Sequence, residues 1–172
     1  MLKIIGCIMV LTASTLIGFI YGLGFKNRTM QLIELQRSVY QLQNEIIYTH
    51  TPLPEAFYNI SNKSSGVIGN IFREISRKLY SNEVDTVFEA FKDVLNVKNE
   101  NLYLLEEDYN LIFSFARNLG ESDLEGEKKI FLLTLENLKS QINLASNIMN
   151  KNLKMYRVLG FTIGAMVIIM FI

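Results

Sequence analysis

His50 is the only histidine and Cys7 the only cysteine among the 172 residues. These are the two side chains that nucleophilic or metal chemistry would recruit first. A catalytic thiol needs a base within hydrogen-bond reach, and a metal needs several His, Cys or carboxylate ligands gathered at one point. Cys7 lies in residues 4–25, an uncharged apolar run, where a small apolar filler is the reading its setting favours. With no second cysteine, no internal disulfide can form. His50 has no second histidine with which to share a metal, so neither a metal-ligand nor a general-base role is assigned to it. No glycine-rich phosphate loop stands out: Gly18, Gly22 and Gly24 fall in the apolar run, and neither Gly66 nor Gly69 precedes a Lys-Ser or Lys-Thr pair. Glu106, Glu107 and Asp108 form an acidic cluster, read as solvated charge on a polar helix face. No catalytic, cofactor-binding or metal residues are therefore expected.

What sets His50 apart is its company. "THTPLPEA", residues 49–56, holds it together with both prolines of the chain, Pro52 and Pro54. The residue before a proline is driven out of the α region, so a helix arriving here must stop near His50 or Thr51. Proline is well tolerated in the first turn of a helix, where its missing N–H would have had no intrahelical partner. The segment is therefore a break followed by a restart. Thr51 is the expected N-cap, and Glu55 falls in the opening turn, where the helix dipole favours negative charge. Leu53 can point into a core. Thr51, Pro52, Leu53, Pro54 and Glu55 together make a structural elbow. A rigid corner is its plain role, and a partner-binding corner its sharper one.

The elements that position this elbow are helices. Leu32, Leu35, Val39, Leu42 and Ile46 recur at spacings of three and four, a coiled-coil-like stripe with nothing before Thr51 to end it. Short amphipathic helices are expected over about 54–61 and 67–80, on either side of a loop at 62–69. A further helix is expected over about 83–96, with Val84, Val87, Phe88, Phe91 and Leu95 on one face. Leu102, Leu105, Tyr109, Ile112, Ala116 and Leu119 form the next stripe. Gly120 sits where a left-handed helix cap is expected. Ser122, Asp123 and Glu125 have capping-box form, with Gly126 just inside the last helix. That helix carries Phe131, Leu135, Leu138, Ile142, Ala145 and Met149 and runs on without a break.

Of the whole chain 49% is hydrophobic, and the excess sits at its two ends. Residues 4–25, as a helix, reach about 33 Å, enough for the hydrocarbon core of a bilayer; residues 158–172 reach about 22 Å, which is short. Lys26, Arg28 and Arg37 follow the first run, and Lys151, Lys154 and Arg157 precede the second. The positive-inside bias then puts residues 26–157 in the cytoplasm and both termini across the membrane. Lys+Arg and Asp+Glu each number 17, and no basic block points to nucleic acid. The expected architecture is all-α. A cytoplasmic bundle of about six helices (26–157) lies between a transmembrane helix at 1–25 and another at 158–172. The first and last bundle helices are long and continuous with the spans.

The stretches "LIELQRSVYQLQNEIIYTHTPLPEAF" and "SFARNLGESDLEGEKKIF", with the apolar start and end, resemble the stage III sporulation protein AB family over the whole chain. Position 127, usually Gln in that family, is Glu here. The resemblance implies a mother-cell membrane protein of endospore formation, similar to the inner-membrane platform protein of type II secretion and type IV pilus systems. It implies an ATPase-like cytoplasmic partner of AA type and other membrane components of the same operon, besides membrane lipid. A homo-oligomer is left open. The function expected is a non-enzymatic assembly platform of a secretion-like complex. The alternative is a membrane-tethered helical adaptor or signal relay outside any such machine. Two rods rising from a membrane would place the short helices at the distal face, so partner contacts are expected there, at Arg73 and Arg77.

Overall fold

The computed structural model describes the backbone of residues 2–97, 101–120 and 123–171; a minority of the side chains in 1–22 and 154–172 are described. Every regular element among the described residues is helical. α1 spans Leu2–Gln43 and passes into a π-helical turn, Asn44–Tyr48. α2 (Leu53–Lys63), α3 (Gly66–Tyr80), α4 (Val87–Asn96), α5 (Glu106–Asn118) and α6 (Leu124–Phe171) follow. Among the described residues the architecture is thus all-α, with six α-helices of which the first and last are long.

Packing divides the chain into two compact units, Met1–Thr29 with Asn143–Ile172, and Met30–Ile142. In the first, the helical segments bury Arg28, Thr29 and Ala145. The Thr29 hydroxyl donates to the Phe25 carbonyl, 3.0 Å away. Among the described residues no helix is long and apolar enough to cross a membrane. Most side chains of 4–25 and 158–172, that of Cys7 included, lie outside the described set. The two spans therefore stand as an expectation from sequence.

The second unit is held by the predicted stripes. Leu32, Leu35, Val39, Leu42 and Ile46 of the first stripe are all buried, as are Phe131 and Leu138 of the α6 stripe; Leu135 and Ile142 of that stripe are only half-buried, and Thr134, which was not on it, is buried. Aromatic rings join the short helices. Phe57 of α2 lies 5.9 Å from Phe72 of α3 and 5.8 Å from Phe91 of α4, and Phe72 and Phe91 are 6.3 Å apart. Phe115 of α5 meets Phe131 of α6 at 5.4 Å, edge to face. Such pairs each add about 1 kcal/mol beyond the area they bury.

Four expectations are corrected here. The turn after α2 is only Ser64 and Ser65; Asn62 and Lys63 close α2 and Gly66 opens α3. A Cβ on Gly69 would stand 2.5 Å from the Ser64 carbonyl oxygen, so glycine permits this short turn. α4 begins at Val87, not near Glu83, because the Thr86 hydroxyl accepts from the Glu89 N–H at 3.1 Å. Val84 lies before the helix, and Ala90 takes the buried place expected of Phe88. α5 begins at Glu106, so Leu102 stands outside it; Leu105 is its half-exposed N-cap and Leu104 is buried instead. The acidic cluster is not all solvated. Asp108 is buried and its Oδ2 accepts from the Leu105 N–H at 2.9 Å. A carboxylate in the first turn of a helix satisfies a donor that would otherwise be orphaned and lies at the positive end of the dipole.

Candidate functional site

The elbow is built by an unusual helix ending. Over Asn44–Tyr48 the turns widen by one residue, which carries both Ile46 and Ile47 against the core. The backbone then reverses at His50, whose φ of 55° is left-handed, a conformation histidine adopts more readily than most side chains. Closure comes from the Thr51 N–H, which reaches back to the Glu45 carbonyl at 2.9 Å. Pro52, extended at φ −57° and ψ 144°, is the N-cap of α2, and Pro54 lies in its first turn. The expected cap at Thr51 is thereby corrected. Its hydroxyl faces backward and donates to Glu45 Oε2 at 3.1 Å. The proline ring at the cap offers no acceptor, so α2 has no side-chain cap bond.

Glu45 is the polar centre of the elbow. Its Oε2 accepts from Thr51 and from Asn59 Nδ2 at 3.2 Å, and its Oε1 accepts from Lys63 Nζ at 2.9 Å. Lys63 above all, with Asn59 and Thr51, holds the carboxyl below its ordinary value of 4.5 against the opposing effect of burial. These bonds tie the end of α1 to the length of α2. The Ser76 hydroxyl donates to the Pro54 carbonyl at 2.8 Å and adds α3 to the joint.

Gly120 brings the second motif to the first. It has φ 85°, and a Cβ there would lie 3.0 Å from Leu53 Cδ1, between the two prolines. The cap of α6 is Asp123, whose Oδ1 accepts from the Gly126 N–H at 3.0 Å. Ser122, for which that role was expected, lies outside the described residues. Glu55 and Glu125 are exposed in the first turns of α2 and α6. Arg73 and Arg77 are not part of this corner's bonding. Arg73 is exposed and makes no ion pair among the described residues. Arg77 is committed to Glu74 at 3.0 Å and Glu83 at 2.7 Å, which raise its pKa. His50 is exposed, and no three His, Cys, Asp or Glu side chains among the described residues gather into a metal-holding group.

Sequence reasoning missed Glu45, because its partners Asn59 and Lys63 lie on another helix and no local pattern announces them. It also missed the Thr86 cap, for which "TVFE" (86–89) was a readable signal.

The class defined by this fold and corner is an all-helical bundle that sets two turn motifs against each other. A model of the stage III sporulation protein AB family matches residues 3–172, and the chain belongs to that family, which makes it a sporulation protein. It is 28% identical over 170 residues to Stage III sporulation protein AB of Bacillus subtilis (strain 168), with 99% of each chain covered. A solved structure of Stage III sporulation protein AB superposes with a TM-score of 0.66 at 25% identity, spanning 72% of this chain and 97% of that one.

Proposed function

We propose that this protein is a non-enzymatic membrane platform of a secretion-like complex between mother cell and forespore, and that its corner docks an ATPase-like cytoplasmic partner. The observation that supports this most is the convergence of the two motifs, with Gly120 against Leu53. The segments that meet there carry exposed Tyr48, Tyr58 and Leu124. Rigid elements fix the corner from both sides: the Glu45 bonds hold the elbow, and Asp123 holds the start of α6. A preorganised surface of this kind binds a partner with little ordering cost. In this reading 4–25 and 158–172 are the membrane helices. Their flanking Lys and Arg residues keep 26–157 in the mother-cell cytoplasm.

The test is recovery of the partner from crosslinked sporulating cells, with the full chain as bait. The wild type is expected to bring down an ATPase-like sporulation protein. Pro52→Ala with Pro54→Ala is expected to remain in the membrane and lose that partner, since α1 can then extend past His50 and misdirect α2. Recovery of no such partner by the wild type would favour the adaptor function instead.

A further inference from the structure

α1 carries a second stripe away from its core residues. Ile33 and Tyr40 are 48% and 57% exposed, and Leu132 on the neighbouring face of α6 is 56% exposed. Gln36 Nε2 donates to the Leu135 carbonyl at 3.3 Å, so residues 36–37 stand level with 135–136. Between the helices runs an open groove of about 420 Å³, walled by Ile33, Tyr40 and Leu132, with Arg37, Glu136 and Lys139 along it. The outer face of a bundle helix is ordinarily polar. Large apolar side chains lining a groove on that face mark an interaction surface.

The charges indicate the occupant. Arg37 and Lys139 are basic; Glu136 is acidic, and Glu34 lies 3.5 Å from Arg37. The strip is close to neutral and carries both signs, so it offers no field to steer a strongly charged partner. It does complement itself. In a two-fold pair the same patch meets its own copy. A two-fold axis along the groove lays α1 of one copy over α6 of the other at the same level. Arg37 then faces Glu136 twice, and Tyr40 approaches Leu132. We propose that this groove is the interface between two copies of the chain, independent of the docking corner.

The test uses full-length protein in detergent, with Cys7→Ser to remove the native thiol. Its mass is measured by light scattering as concentration rises, and helicity by circular dichroism. The protein is expected to dimerise. Arg37→Glu and Glu136→Arg are each expected to weaken the dimer about tenfold, and the two together to restore it. Restoration separates pairing between copies from the loss of Arg37's own bond to the Lys63 carbonyl. Tyr40→Cys and Leu132→Cys chains, mixed, should form a disulfide-linked heterodimer. A wild type that stays monomeric at high concentration overturns the proposal. So does a dimer indifferent to both charge reversals, or groove cysteines that crosslink only to another protein.

Discussion

Two residues decide how the second motif turns. Gly120 has a left-handed φ of 85°, where a side chain costs about 1–2 kcal/mol. The Leu53 tip, 3.0 Å from the position of a Cβ, must also give way. Asp123 supplies one cap bond to α6, and such caps are worth about 1 kcal/mol. Gly120→Val is therefore expected to lower the melting temperature more than Asp123→Ala; the reverse order would remove the conformational role from Gly120. Glu45 gives a pH signature. Its carboxyl is held below 4.5 by Lys63, Asn59 and Thr51, so in acid the unfolded chain binds the proton that the folded chain refuses. The stability this contributes is present above about pH 4.5 and is lost as pH falls through the lower folded value. Glu45→Gln should be less stable at neutral pH, and the gap to wild type should narrow in acid. An unchanged gap down to about pH 3 would show that these bonds do not hold the elbow.

At the scale of elements, periodicity carried most of the information. The α1 stripe read from spacing is the buried stripe, because an amphipathic helix has one way to bury its apolar side. Pro52 and Pro54 marked the end of the first helix, since the steric rule acts on neighbours in sequence. The conformation of that ending was not legible. A π-helical turn depends on two isoleucines reaching one core, and a left-handed His50 depends on the bonds that close around it. Boundaries set by side-chain caps were misplaced where a competing cap went unread, as at Thr86 and Asp108. The α2–α3 turn was drawn too long because Gly69 was counted as a loop residue. It is a helical residue that lets Ser64 approach. Gly69→Ala is expected to cost about 2 kcal/mol or more, since a backbone oxygen 2.5 Å away cannot simply rotate aside. Chemical denaturation of the full chain measures this, and a loss under about 0.5 kcal/mol would mean the turn relaxes freely.

For the whole molecule, sequence resemblance brought the family into view, and the structure supplied the meeting of its two motifs. Nothing in the residue spacing announces that Leu53 and Gly120 touch, because that contact depends on how α2, α3, α4 and α5 pack. The two surfaces of the Met30–Ile142 unit have separate expected partners. Under the two proposals the corner takes an ATPase-like protein and the α1–α6 groove takes a second copy. Site-specific photocrosslinking in sporulating cells compares them directly. A photoreactive residue replaces Tyr58, exposed on α2, or Tyr40, in the groove. The account predicts capture of the ATPase-like protein from position 58 and of the chain itself from position 40. Capture of the ATPase-like protein from position 40 alone, or of no partner from position 58, would contradict it.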